Sequence, residues 1–171
     1  MHTAYLLLGG NMGNVPASFE KALVLMKEAG IRTDALGSLY MSEPWGEGVD
    51  GMFYNQAVQV STGLDISQLL TTLKTIESGL GRKHRPGVVE SRPLDIDILF
   101  YDDSIVSEPG LQVPHPRLHL RNFALAALMD IAPDHIHPVF GKTVRQLLLE
   151  SADTLSVKRL DAPVSHENSA I

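Results

Sequence analysis

The chain has 171 residues, 44% of them apolar and 20% charged, a formal net charge of −6 and no cysteine. Such a composition suits one globular domain with its own core. It excludes disulfides, thiolate metal sites and cysteine nucleophiles, fits a cytoplasmic setting and speaks against a general nucleic-acid binder. No apolar run approaches the roughly 18 residues a membrane span needs. The start, Met1-His2-Thr3-Ala4, lacks the basic segment of a signal peptide, so no targeting segment is expected.

Ala4 to Leu8 reads as a buried strand, closed by the turn Gly9-Gly10-Asn11-Met12-Gly13. Asn14 is placed to cap a helix with Pro16 in its first turn and Phe19, Leu23 and Met26 on one face, ended by Gly30. Ile31 to Met41 is expected to be one strand. A glycine-rich loop runs from there to Gly51, and Phe53 to Thr62 has strand composition. Asp65 or Ser67 caps a second helix, whose face is Ile66, Leu69, Leu70, Leu73 and Ile76. Residues 82–93 form a long polar loop, a length usually reserved for function or disorder. Leu94 to Tyr101 alternates cleanly as a strand, and Asp102-Asp103 turns it toward a short partner at Ile105-Val106. Pro109 to Leu120 is a second long loop. Asn122 to Ile131 and Thr143 to Glu150 read as helices. The order β-α-β-β-α-β predicts an α+β, ferredoxin-like sandwich: an antiparallel sheet with its helices on one face and a C-terminal helical extension. A single domain is expected over residues 1–160, with 161–171 a flexible tail.

The most informative segment is Arg92-Pro93-Leu94-Asp95-Ile96-Asp97-Ile98-Leu99. On a strand, residues i and i+2 share a face, so Asp95 and Asp97 project side by side, roughly 6–7 Å apart, while Ile96 and Ile98 face the core. Such a pair is either the solvent side of a half-buried strand or a site for a hard cation. Mg²⁺ typically takes one or two carboxylates plus substrate phosphates. Arg82, Lys83, Arg85 and Arg92 precede the acids, and Arg117 and Arg121 come after them. Singly, each is a solvated surface charge. Together they suggest salt bridges or a Mg²⁺-phosphate site, since guanidinium forks match phosphate oxygens. No P-loop is present and the glycine turn is not a dinucleotide fingerprint. Trp45, Phe53, Asn55 and Phe123 could make a pocket for a flat heterocycle, although for Phe53 and Phe123 taken singly core packing is the better reading. His115 lies between two prolines, a setting that suits a structural histidine.

Taken together, the motifs resemble the 6-hydroxymethyl-7,8-dihydropterin pyrophosphokinase family. The matching pieces are Leu8-Gly9-Gly10-Asn11 with Gly13, Tyr40-x-Ser42-x-Pro44-x-Gly46, Phe53-x-Asn55-x-Ala57-Val58, Glu77, Gly81-Arg82, Arg92-x-x-Asp95-Ile96-Asp97-Ile98-Leu99, Pro114-His115-Pro116-Arg117 and Arg121-x-Phe123. The resemblance implies an ATP-dependent pyrophosphokinase of folate biosynthesis, moving pyrophosphate from ATP to the pterin hydroxymethyl oxygen and releasing AMP. It implies two Mg²⁺ ions on Asp95 and Asp97, and a lid carrying Arg82 and Arg92, both with catalytic roles. It also implies nucleotide contacts from Glu77, Ile98, His115 and Arg121. Ser42, Pro44, Trp45, Phe53, Asn55, Asp95 and Phe123 would hold the pterin. A monomer acting on small molecules, with no nucleic-acid or membrane partner, is expected. The chain departs from the family pattern at Gly10, His84, Pro86-Gly87 and Glu90-Ser91, positions that bear on the lid rather than the metal ligands. Two other readings compete: a different metal-dependent phosphoryl or nucleotidyl transferase on the same scaffold, and a non-catalytic binding module of the same fold, which would have no need for a carboxylate pair beside six basic residues.

Overall fold

The computed structural model describes residues 1–42, 52–80, 94–154 and 156–160. Pro44, Trp45, Arg82, Arg92 and the tail after 160 lie outside the described residues.

The first strand, β1 (His2–Gly10), leads into α1 (Val15–Glu28). The Asn14 side chain accepts from Ala17 N–H, and Gly30, at φ +85°, ends the turn beyond the C-cap Ala29. Next come β2 (Ile31–Leu36), β3 (Tyr40–Ser42) and β4 (Phe53–Thr62). The expected single strand from Ile31 to Met41 is thus interrupted, both pieces pairing with β4. Between them the chain at Gly37 and Ser38 turns to meet Asp130. Helix α2 (Ile66–Gly79) starts on a capping box in which Asp65 and Gln68 exchange backbone bonds. Strand β5 (Asp95–Tyr101) completes the main sheet on one side.

The strands run in the order β5-β1-β4-β3, with β2 also on β4, and every pairing is antiparallel. Helices α1 and α2 each connect strands that lie two places apart, so both pack on the first face of the sheet. There Leu6, Leu8, Val58, Val60, Ile96 and Ile98 meet Phe19, Met26, Leu69 and Leu73. This is the expected α+β, ferredoxin-like arrangement.

The rest of the chain uses the second face. After β5 the chain forms a separate hairpin, β6 (Val106–Glu108) and β7 (Leu111–Val113). The partner expected at Ile105-Val106 therefore pairs with β7 and not with Leu94–Tyr101. Pro109-Gly110, with Gly110 at φ +78°, is the turn that closes the hairpin. A 3₁₀ turn (Leu118–Leu120) precedes α3 (Asn122–Met129) and α4 (Val144–Glu150). Their Ala124, Leu125, Leu128, Val144 and Leu147 pack with Leu7, Tyr40, Ala57, Leu99 and Phe100. The helical extension therefore covers the opposite face from α1 and α2. Two neighbouring residues of β5, Leu99 and Phe100, join this second core because a register shift places a bulge there. A last strand, β8 (Val157–Arg159), adds to the outer side of β3.

Candidate active site

The pleat decides where the candidate residues go. Residues directly opposite one another in a sheet share a face. Asp95 pairs with Gly9, Gly9 with Asn55, and Asn55 with Tyr40, so these four form a row across β5, β1, β4 and β3. Asp97, Leu7 and Ala57 form the next row, and Ser42 pairs with Phe53 at the outer end. Leu7, Tyr40 and Ala57 belong to the second core, so Asp95, Asp97, Asn55, Phe53 and Ser42 all lie on the face that α3 and α4 pack against.

Gly9 is the small residue in this row. A Cβ built there would lie 3.0 Å from Asn55 Oδ1. A glycine lets the Asn55 amide, itself buried, sit against the strand between the two edges of the row.

Phe123 is the second residue of α3, which packs across β3 and β4. Arg121 immediately precedes that helix, with its guanidinium 5.6 Å from the Phe123 ring centre. The α3 N-terminus is capped from a distance: Asp153 accepts from Asn122 N–H at 2.8 Å, and its carbonyl accepts from the Asn122 amide at 2.9 Å. Burial lowers the pKa of Arg121, partly opposed by the negative fields of Asp97 and Asp95. The Arg121 guanidinium thus lies within the electrostatic field of both carboxylates.

His115 faces the same group. Its backbone N–H donates to Leu99 O at 3.0 Å, and its Nδ1 accepts from Arg117 N–H at 3.2 Å. Burial first, then Arg121 and Arg117, push its pKa down to about 4 against the pull of Asp95. At neutral pH it is therefore uncharged. Since Nδ1 is an acceptor, the ring proton sits on Nε2.

On the outer edge of β5 lies a cleft of about 530 Å³. Its walls are α2 (Leu70, Lys74, Glu77), the β5 edge (Asp95 to Ile98), the β6–β7 hairpin and His115-Pro116. Glu77 is buried, and its carboxylate accepts from Ile96 N–H at 2.6 Å, filling one outward-facing position of the strand edge. By the same alternation the peptide edge of Ile98 faces this cleft, while its side chain belongs to the first core. The hairpin wall, with Leu111 and Gln112, lies outside the residues that the sequence marks for a site. Its signal in the sequence is the Pro109-Gly110 turn pair, which marks a hairpin without saying what it lines.

The structure therefore brings Glu77, Asp95, Asp97, Ile98, His115 and Arg121 to one end of the sheet, with Ser42, Phe53, Asn55 and Phe123 beside them. Among the described residues no three His, Asp or Glu side chains converge to hold a metal alone. Two adjacent carboxylates on one face suit a hard cation that takes its remaining ligands from phosphate and water. No helix among the described residues is long and apolar enough to cross a membrane.

The family model described as 7,8-dihydro-6-hydroxymethylpterin-pyrophosphokinase matches residues 5–133. A 2-amino-4-hydroxy-6-hydroxymethyldihydropteridine pyrophosphokinase of Aquifex aeolicus is 34% identical, over 88% of this chain and 93% of the relative. A mitochondrial folate synthesis bifunctional protein of Arabidopsis thaliana is 42% identical over 76% of this chain, which spans 23% of that longer protein. Among solved structures, the HPPK-DHPS protein of Plasmodium falciparum superposes with a TM-score of 0.72 at 20% identity. That match covers 87% of this chain and 45% of the Plasmodium chain, a likeness of fold.

Proposed function

The chain belongs to the 7,8-dihydro-6-hydroxymethylpterin-pyrophosphokinase family and is a pyrophosphokinase of folate biosynthesis; from that premise we propose the reaction in detail. The hydroxymethyl oxygen of 6-hydroxymethyl-7,8-dihydropterin attacks the β-phosphorus of ATP. The bond from that phosphorus to the α,β-bridging oxygen breaks, the proton leaves the hydroxymethyl group, and AMP departs. We take residues 1–160 as one catalytic unit.

The observation that carries this reading is the placement of Asp95 and Asp97 on one face of β5, Asp95 at the end of the row holding Asn55 and both acids lining the cleft at the β5 edge. The pterin lies over the row, its ring between Phe53 and Phe123 and its amide edge on Asn55, with Ser42, Pro44 and Trp45 around it. The nucleotide occupies the cleft, held at the Ile98 peptide edge, and Glu77 keeps that edge in shape through Ile96. The triphosphate then runs past His115 and Arg121. Neutral His115 donates from Nε2, and Arg121 supplies a charge that needs no reorganisation. Two Mg²⁺ ions held by Asp95 and Asp97 with the phosphates would neutralise charge at phosphorus and lower the pKa of the hydroxymethyl oxygen. Arg82 and Arg92, which lie outside the described residues, would by the family resemblance add charge at the triphosphate. Positioning and electrostatics suffice for such a transfer, and no dedicated general base is required.

The test is a pair of isosteric variants. Asp95→Asn and Asp97→Asn should each keep the fold, by circular dichroism and thermal midpoint, while pterin-dependent ATP consumption falls about a thousandfold or more. Folded variants with near-normal turnover would contradict the assignment.

A further inference from the structure

Asp130 stands at the far end of α3 from Phe123, away from the residues placed around the pterin and the nucleotide. Its carboxylate accepts from Ser38 N–H at 2.8 Å and from Tyr40 Oη–H at 2.9 Å. Ser38 lies in the break between β2 and β3, and Tyr40 opens β3 directly after it. The approach is close: a Cβ at Gly37 would stand 3.3 Å from Asp130 Cβ and Oδ2, so glycine is the residue that admits the contact. The same segment is tied down from other sides. Gly37 N–H donates to Ala57 O at 2.9 Å, Gln56 Nε2 donates to Gly37 O at 2.9 Å, and Arg159 donates to Ser38 Oγ.

The break sets the register of β3 on β4. Tyr40 is the first residue of β3 and lies directly opposite Asn55; two residues on, Ser42 lies opposite Phe53. A shift of one residue at the break would turn both side chains to the other face. Asp130 therefore joins the two halves of the pterin pocket. One half is α3, with Phe123 at its start; the other is the β3–β4 pair, with Asn55 and Phe53. We infer that Asp130 is a positioning residue for pterin recognition, setting through Tyr40 and Ser38 the spacing between Phe123 and the Asn55 row. This rests on the proposed placement of the pterin over that row.

The Tyr40 hydroxyl suits the role. It is buried, and burial, then the bond to Asp130, raises its pKa to about 12, against the opposing field of Arg159. It remains a donor over the whole working range of pH.

The test uses the full chain with Tyr40→Phe, which keeps the packing, Asp130→Asn, which keeps the shape, and the double variant. The substrate pterin is titrated into protein saturated with Mg²⁺ and a non-hydrolysable ATP analogue, and the analogue is titrated separately. Each single variant should weaken pterin about tenfold, leave the analogue within about twofold, and show little additional loss in the double variant. Unchanged pterin affinity would overturn the inference. So would a parallel loss of both ligands with a lowered thermal midpoint, which is what mere scaffolding would produce. Failure of the unaltered chain to bind pterin would overturn the placement of the pocket, and this inference with it.

Discussion

At Gly9 the sheet brings Asn55 up on one side and Asp95 on the other, with no side chain between. Overfilling so tight a contact costs roughly 1–3 kcal/mol, taken up by whichever neighbour gives way. Here that neighbour is the Asn55 amide, at 3.0 Å from the would-be methyl. Gly9→Ala is therefore expected to raise the pterin dissociation constant about tenfold and leave MgATP binding unchanged, measured by calorimetric titration of each ligand. Equal losses for both would show that the methyl disturbs β1 as a whole. Asp95 and Asp97 were legible from sequence because a strand's two-residue repeat is strict: once Ile96 and Ile98 are inside, the acids share the other face. The function of Gly9 was not, since a strand-end glycine reads the same in any tight turn. Its meaning depends on Asn55, 46 positions away in the chain.

Among the elements, those set by local signals were readable. The Asn14 and Asp65 caps and the whole of β4 arise from residues within a few positions. Three features needed long-range information. The break between β2 and β3 depends on Asp130, the α3 cap on Asp153, and β8 on a free edge of β3. Another local device, the turn from His137 to Lys142, gives a pH prediction. Buried His137 accepts from Val139 and Phe140 N–H at Nδ1, at 3.2 and 3.3 Å, and its ring stacks on Phe140 at 4.5 Å. Burial, then the fields of His119 and His135, lower its pKa from 6.5 to about 4. The folded state thus binds fewer protons than the unfolded chain between these values. The contribution is complete above about pH 6.5 and is lost as pH falls toward 4, on the order of 3 kcal/mol across the window. His137→Asn keeps an acceptor for the two N–H groups and does not titrate. Its urea midpoint should fall less steeply from pH 6.5 to 4 than that of the unaltered chain. Equal slopes would remove His137 as the cause.

For the molecule as a whole, the chain order disclosed the ferredoxin-like sheet, because helices that join strands two places apart must lie on one side. It did not disclose that the C-terminal helices cover the other side. Helix α3 is apolar nearly all round, and its pattern names no partner. That second layer matters for function. Among the described residues it sets Arg121 and Phe123 at the start of α3, which packs across β3 and β4, and the cleft lies beside it at the β5 edge. In the proposed reading the two substrates meet at Asp95 and Asp97, a pterin on the face and a nucleotide at the edge. The most direct test of this account is product analysis: the chain with ATP, Mg²⁺ and 6-hydroxymethyl-7,8-dihydropterin, AMP and ADP quantified, and controls lacking magnesium or pterin. One AMP is expected for each pterin diphosphate formed, dependent on both magnesium and pterin. ADP as the nucleotide product, or AMP formed without pterin, would contradict it.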